Sequence, residues 1–458
     1  MAMEEGSGHA IPAGIAPAEA VDAWRGTVQG FLAHDRRTAD RLGAVLTGAP
    51  DFALGHALKG LFLMLLGRSE LSSAAKACLA EARRASLAAP QPEPERTAAL
   101  MEALAAYVAG RPSLAVARLG QWLEQAPQDV LVFKLDHAIR FVLGDRRGML
   151  AMSRQTLSSL DRDHVFAGYV LGCHAFALEE NGAYAEAEQA GCAGLEQAAD
   201  DAWGLHAVAH VYDMTARADT GVTWLKTRTD AWAHCNNFGE HVWWHLALFH
   251  LDRGEYEAVM DLYDTRIRAE HTDDYRDISN GAAMLARLEI EGIDVGDRWE
   301  ELSALSENRV EPTCVVFADL HYHMALEAAG KRGAADRMIA RLAEDAGRAE
   351  HDMHEVAAIA GVPMARGLTA FRAGHYGEAF TLMRGCRGDL QKAGGSHAQR
   401  DVFSRLMIEA GIRAGDYTGA EAELAARTAR RGAEDGFTAR RREAIARART
   451  VTAGCAAE

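Results

Sequence analysis

The sequence predicts an all-α protein made of tetratricopeptide-like helix-turn-helix repeats that form one α-solenoid superhelix. Residues that favour helices dominate the chain, apolar residues recur at three- and four-residue spacing, and alternating β-branched runs are scarce. The chain has 458 residues, of which 49% are hydrophobic and 25% charged, which is typical of a globular protein. Stacked repeats would give one continuous core rather than several separate domains.

Glycines that recur every 34 to 44 residues predict the turns of the repeats. Several of them precede a tyrosine and a small residue, as in GAYAEA and GHYGEA, which is typical of a tight turn between two antiparallel helices. One wider gap predicts a further helix break near Ala216. Ten helix pairs fit between about residues 45 and 430, and the predicted turn glycines are Gly67, Gly110, Gly144, Gly182, Gly254, Gly292, Gly330, Gly374 and Gly415.

The predicted organisation has three parts. Residues 1–20 are expected to be a disordered amino-terminal segment, residues 21–430 the tetratricopeptide-like α-solenoid, and residues 431–458 a capping helix and tail. The clustered arginines near the carboxyl terminus are expected on an exposed polar face. Within the solenoid, PQPEPE at 90–95 predicts an exposed, non-helical connection, and residues 227–239 predict a longer loop.

Charge and cysteine usage restrict the partners and the compartment. A net charge of −16 opposes binding to phosphate backbones and to anionic lipid surfaces, so neither nucleic acid nor membrane is expected as a partner. The seven cysteines form no C-x-x-C pair and their number is odd, which predicts free thiols in a reducing compartment. We therefore expect a cytoplasmic protein.

Histidines supply the clearest chemical signal. Eleven of the 19 fall in the predicted first helix of a pair, and the densest group is H-A-V-A-H followed by H-V-W-W-H in the next pair. An i, i+4 spacing places two imidazoles on one helix face, and adjacent helices pack about 8–10 Å apart. We therefore predict that four imidazoles meet and act as catalytic groups in general acid/base chemistry: His206, His210, His241 and His245.

Two other interpretations of these four histidines stay open. Neutral imidazoles also bind divalent metals, but neither H-x-x-x-H contains the glutamate of the H-E-x-x-H motif, so a metal is not favoured and no cofactor is predicted. The rings could equally fill space between helices and hydrogen-bond to neighbouring groups.

Further residues are predicted to bind a ligand. One of the two consecutive tryptophans, Trp244, is assigned to the groove, and A-D-L-H-Y-H contributes Asp319 and His321. The segment GGSHAQRD contributes Ser396, His397 and Arg400, because a helix amino terminus with a nearby arginine attracts a carboxylate or phosphate. The same segment also fits an ordinary S-x-x-Q capping box.

Several segments together resemble the tetratricopeptide repeat protein 38 family. They are HAVAHVYDM, CNNFGEHVWWHLALFHLDRGEYEAVMDLYDTRI, F-A-D-L-H and AGGSHAQRDVF, and the likeness runs over roughly residues 45–425. The resemblance implies a helical repeat fold in a bacterial member of that family. It implies no catalytic residues.

Two functions follow from these patterns. The first is a His-rich concave groove that binds a small polar, anionic ligand and performs acid/base chemistry on it. The second is a scaffold that clasps a peptide of a partner protein, a common use of concave helical repeats. No phosphate-binding G-x-x-x-x-G-K-[ST] and no G-x-S-x-G elbow is present, so whether the protein is an enzyme stays open.

Overall fold

A computed structural model describes residues 18–455, apart from residues 92, 162 and 311–314 and the side chains of residues 451–455. This part of the chain is helical throughout and contains no β-strand; its only strand-like pairing is one isolated antiparallel bridge between Asp35 and Cys235. The all-α prediction is therefore confirmed. None of the described helices is long and apolar enough to cross a membrane.

Most helices form antiparallel pairs that follow one another along the chain. The α-helices are α1 Ala18–Ala33, α2 Thr38–Gly48, α3 Ala53–Leu65, α4 Ser72–Ala88, α5 Pro94–Val108, α6 Pro112–Gln125, α7 Val130–Val142, α8 Arg146–Ser159, α9 Ala167–Glu180, α10 Tyr184–Gln197, α11 Ala202–Met214, α12 Ala218–Lys226, α13 Phe238–Asp252, α14 Tyr256–Leu262, α15 Tyr275–Ile290, α16 Arg298–Glu307, α17 Val316–Ala328, α18 Arg332–Ala346, α19 Asp352–Val356, α20 Val362–Arg372, α21 Tyr376–Cys386, α22 His397–Arg413, α23 Tyr417–Arg431 and α24 Gly436–Cys455.

The predicted turns are found where the glycines stand. All nine predicted glycines have a positive φ between the two helices of a pair, and Ala216, in the wider gap, has a φ of 53°. A left-handed residue after the last helical turn lets the chain reverse, and glycine adopts it without strain. Ten helix pairs, from α3/α4 to α22/α23, occupy the range in which ten pairs were predicted.

Some predicted boundaries shift. Residues 18–20, predicted to be disordered, begin α1, whereas the rest of that predicted segment lies outside the described residues. Pro94, predicted to lie in a non-helical connection, is the first residue of α5, where its missing N–H costs no hydrogen bond. The loop predicted at 227–239 is present between α12 and α13, and it contains a 3₁₀ turn at Thr229–Trp232.

Helix packing follows the order of the pairs. The first helix of one pair packs against its own second helix and against the first helix of the next pair, as α9 does with α10 and α11. The buried apolar side chains between them form two large clusters, one spanning Trp24 to Ala207 and the other Val142 to Ile445. The core therefore runs along the chain.

Hydrogen bonds also join segments that are 149 to 247 residues apart. They link turns and helix ends of earlier pairs to later parts of the chain. Examples in chain order are Arg68–Asp273, Ser113–Asp352, Gly144–Gln391, Glu180–Arg400, Asp213–Arg431, Asp252–Gly436 and Glu291–Arg440.

Helix α22 packs against helices from earlier in the chain. Besides its neighbours α21 and α23, it contacts α11 and α15, which are first helices of the middle pairs. One face of these middle helices is therefore covered by the chain itself. The prediction for the arginines near the carboxyl terminus is confirmed in part: Arg430, Arg442, Arg447 and Arg449 are exposed. Arg431 and Arg441 are instead buried in ion pairs, as is the preceding Arg427.

Candidate functional site

The four histidines of α11 and α13 meet, as their spacing predicts. The Nε2 atom of His206 lies 2.9 Å from Nε2 of His210 and 3.0 Å from Nε2 of His241. The ring of His245 lies 4.4 Å from that of His210 and 4.7 Å from that of His206, centroid to centroid. We call these four residues the histidine cluster. His206, His210 and His245 are at most 2% exposed, and His241 is half-buried.

Side chains from two further helices contact the histidine cluster from outside. Glu179, in the last turn of α9, places Oε2 3.5 Å from Nδ1 of His210. Asn280 of α15 donates from Nδ2 to Nδ1 of His241 over 3.0 Å, and Gln399 of α22 lies 3.3 Å from the Asn280 amide oxygen. The rings are thus oriented by a carboxylate on one side and by an amide pair on the other.

Aromatic side chains form the remaining walls. Phe176, Trp203 and Phe238 lie against the His206 ring, with centroids 5.2–5.8 Å away. Trp244, predicted to bind a ligand, is fully buried, stacks on His241 and donates its indole N–H to the carbonyl of Asn280. It therefore holds the histidine cluster in place and is not accessible to a ligand in this structure.

Burial dominates the electrostatics of the histidine cluster. Desolvation, reinforced by the neighbouring rings, holds the pKa of His206 and of His245 well below the ordinary value and lowers that of His241 to about 3. Burial alone would raise the pKa of the Glu179 carboxyl, but His210 and His397 outweigh it and lower that pKa to about 2. Glu179 is therefore a buried negative charge beside the histidine cluster.

The start of α22 adds the next group. Ser396 and Gln399 form the predicted capping box, and the preceding Gly394 and Gly395 have φ values of 92° and 74°. A Cβ on Gly395 would lie 2.5 Å from the Phe317 ring, so a side chain is excluded there. The backbone N–H of His397 donates to Glu180.

The anion bound at the amino terminus of α22 is therefore the carboxylate of Glu180. Arg400 also donates to Glu180 over 3.0 Å and to the carbonyl of Gly395. The His397 ring lies 3.6 Å from Glu179 and 3.7 Å from Glu180. It therefore lies between these two buried glutamates and the solvent. The contacts from His210 through Glu179 to His397 form a continuous line of polar groups.

A cavity of about 530 Å³ opens beside His397, on the side away from the histidine cluster. His397 and Arg400 belong to its wall, and none of the four clustered histidines does. The wall carries seven cationic side chains and two carboxylates. They are Arg146, Arg387, Lys392, Arg400, Arg427, Arg430 and Arg431, with Asp401 and Glu423.

Two of the predicted ligand-binding residues have other partners. Asp319 forms an ion pair of 2.9 Å with Arg341 of α18, and burial raises its pKa to about 6. The His321 ring lies between Phe317 and Phe403, and its Nδ1 atom is 2.8 Å from the Phe317 carbonyl oxygen. Both therefore have structural surroundings, and the histidine cluster and the start of α22 form the candidate site.

Glu179, Glu180 and Asn280 were missed by the sequence analysis. Two glutamates at the end of a helix, before Asn181 and Gly182, look like an ordinary solvated terminus. They are at most 1% exposed because α22, more than 200 residues later in the chain, covers them. Asn280 stands in an apolar helix without a motif.

No protein-family model matches the sequence. The assignment of chemistry therefore rests on the geometry of the site alone.

Proposed function

We propose that the protein is a tetratricopeptide-like α-solenoid that binds a small anionic molecule in the cavity beside α22. The superhelix is supported by the ten consecutive helix pairs, by their glycine turns and by the bonds between segments far apart in the chain. Membership in the tetratricopeptide repeat protein 38 family stays a proposal carried by the sequence segments quoted above.

The excess of cations in the cavity wall carries the proposal. Most of its arginines already pair with acids: Arg427 with Asp401, for example, and Arg387 with Glu423. Arg146 donates to the backbone carbonyl of Glu180. Neither it nor Arg430, which also lines the cavity, forms an ion pair with a carboxylate among the described residues. Two guanidinium groups facing a concave space without a counter-charge favour an anionic ligand, because guanidinium binds carboxylate and phosphate through paired N–H donors.

His397 is the group best placed for proton transfer to such a ligand. It lines the cavity, and its Nδ1 atom lies 3.6 Å from Glu179, a carboxylate that can accept its proton once the two side chains approach to hydrogen-bond distance. The four histidines predicted to be catalytic lie behind Glu179 and do not line this cavity, so His397 takes their place as the acid/base group in our proposal.

The scaffold function receives less support. A solenoid that clasps a peptide presents its inner face to it, whereas α22 packs against α11 and α15 on that side. A cytoplasmic location is part of the proposal, supported by free thiols at Cys78, Cys173, Cys192, Cys235 and Cys386.

Calorimetric titration of the full chain with inorganic phosphate and with succinate tests the proposal. We expect saturable binding of at least one anion, weakened tenfold or more by Arg430→Ala and by Arg146→Ala, because each substitution removes charged donors. Arg332→Ala, which removes an exposed arginine outside the cavity wall, is the matched control and should bind as the wild type does.

Titrations in buffers of different ionisation enthalpy test the role of His397. Binding is expected to be accompanied by proton uptake or release that His397→Gln abolishes. If neither anion saturates the wild type, or if Arg332→Ala weakens binding as much as Arg430→Ala, the cavity is not an anion site.

A further inference from the structure

We propose that His206, His210, His241 and His245 together bind one divalent transition-metal ion, with Glu179 as the outer partner of His210. This inference is independent of the proposed anion site, because none of the four histidines lines that cavity. One nitrogen from each of the four rings can be chosen so that all lie within 4.8 Å of one another, and three of the four residues are fully or almost fully buried.

Unpartnered nitrogens are the first argument. Both ring nitrogens of His245 are buried without a hydrogen-bond partner in the described part of the chain, and so is Nδ1 of His206. Buried polar atoms are nearly always hydrogen-bonded, since an unpartnered one loses its hydration without compensation. A set of such nitrogens in one place indicates a ligand that accepts several lone pairs.

The positions of the protons are the second argument. A neutral imidazole carries one N–H, and Nδ1 of His210 faces the Glu179 carboxylate, so the proton belongs on that nitrogen. The Nε2 atom of His210 then presents a lone pair to Nε2 of His206, 2.9 Å away, which itself faces Nε2 of His241. Asn280 donates to Nδ1 of His241, so the proton of that ring lies on Nε2 and satisfies only one of the two contacts of His206 Nε2. When the Asn280 amide turns so that its oxygen accepts from Nδ1 of His241, all four rings can present a lone pair to a cation between them.

Glu179 supplies the outer-shell carboxylate that the H-x-x-x-H motifs lack. Metal-bound histidines typically donate their second N–H to a carboxylate or a carbonyl, which fixes the tautomer and makes the ring a stronger donor. Glu179 and His210 are placed for this arrangement at an ion-pair distance of 3.5 Å, which is longer than a normal hydrogen bond. The acid therefore comes from α9 and not from the helices that carry the ligands.

The donor set restricts the metal. Four imidazoles without a thiolate suit zinc, copper, nickel or iron, and Zn²⁺ accepts four nitrogens in a tetrahedron at about 2.0–2.1 Å. Nitrogens at the corners of such a tetrahedron are about 3.3 Å apart. Two of the observed separations, 2.9 and 3.0 Å, are shorter than this by a few tenths of an ångström, and the others lie within 4.8 Å. The rings must therefore turn toward a common centre to close around the ion.

Such a site would be closed. Four protein ligands leave no position for water or substrate, which is typical of a structural metal. The ion would tie α11 to α13 and hold His210 against Glu179, and the test therefore uses metal binding and thermal unfolding instead of turnover.

The experiment uses the full chain, stripped with a chelator and titrated with Zn²⁺ and with Co²⁺ as a spectroscopic probe. We expect one ion per chain, intense visible bands of tetrahedral Co²⁺, a higher melting temperature with Zn²⁺, and X-ray absorption that shows only nitrogen neighbours. His206→Gln and His245→Gln are expected to weaken Zn²⁺ binding at least a hundredfold.

Two matched controls separate the site from general damage. Glu179→Gln is expected to weaken Zn²⁺ binding ten- to a hundredfold through His210, whereas Glu186→Gln, which replaces an exposed glutamate of α10, leaves it unchanged. His321→Gln removes a buried histidine outside the cluster and should bind as the wild type does. If a ligand variant does not fold, the Co²⁺ spectrum and X-ray absorption of the wild type still decide. Less than stoichiometric uptake, sulfur or oxygen neighbours, or undiminished binding by folded His206→Gln would overturn the proposal.

Discussion

The histidine cluster and the arginine network of α22–α24 are both buried and polar, but the central arginine of the network, Arg427, is fully hydrogen-bonded, whereas the centre of the histidine cluster is not. Arg427, which is 1% exposed, donates to Asp401, Asp435 and Thr438 at 2.7–2.9 Å and uses all of its guanidinium nitrogens. In the histidine cluster, His245 has no partner for either ring nitrogen among the described residues. Arg427 and His245 are therefore almost equally buried, but one is fully hydrogen-bonded and the other is not.

This difference separates stability from function. A satisfied buried network holds elements in register and is costly to break, whereas an unsatisfied one opposes folding unless a ligand completes it. We therefore assign the arginine network to the fold and the histidine cluster to binding, and three experiments test that division.

The largest effect is expected for Arg427→Met. The substitution leaves Asp401 and Asp435 buried without their main partner, and the free energy of unfolding should fall by about 3–5 kcal/mol. Urea unfolding followed by circular dichroism measures it. The matched control is Arg449→Ala, which breaks an exposed pair with Glu421 and should cost less than about 1 kcal/mol. A similar loss in both variants would contradict the division.

The second effect is a loss of stability on acidification, caused by buried histidines. Desolvation lowers the pKa of His321 and of His323 to about 4, below the ordinary 6.5 of the unfolded chain. As pH falls below 6.5, the unfolded chain takes up protons that the folded chain does not, so stability decreases. Each ring should contribute about 2 kcal/mol between pH 6.5 and pH 5.

Some buried acids change the stability in the opposite direction on acidification; burial raises the pKa of Asp201, for example, to about 7. A histidine variant separates the contribution of the ring from that of these acids. His321→Gln should flatten the dependence of the urea midpoint on pH, whereas His375→Gln, which replaces an exposed histidine, should not. Asp401 and Asp435 add nothing in this range, because their arginine partners hold both pKa values well below the ordinary one. Parallel pH profiles of wild type and His321→Gln would show that this ring does not matter.

The smallest effect is expected for His245→Leu in metal-free protein. Leucine has nearly the volume of histidine and removes two buried nitrogens without partners, so the free energy of unfolding should stay the same or rise by about 1 kcal/mol. Thermal unfolding with and without Zn²⁺ measures it, and the stabilisation by Zn²⁺ should disappear. A loss as large as that of Arg427→Met would mean that His245 belongs to the fold.

The repeat pattern and the histidine cluster could be read from the sequence because both depend on local spacing. Glycine at a turn and histidines four residues apart act within one helix pair or between neighbours, and His206, His210, His241 and His245 meet as predicted. Glu179 could not be assigned, since its surroundings depend on residues more than 200 positions later. The burial of Arg431 could not be predicted for the same reason, because its ion-pair partner Asp213 lies 218 residues before it.

The bond between the start of α22 and Glu180 has a consequence for biosynthesis. As the chain leaves the ribosome, residues 1–396 emerge before the helix that covers Glu179 and Glu180 exists. Until α22 arrives, both carboxylates face water and His210 lacks the enclosed surroundings that orient it. A chain that terminates after residue 396 would retain all four clustered histidines and yet lack the completed site, so a competent product must include α22.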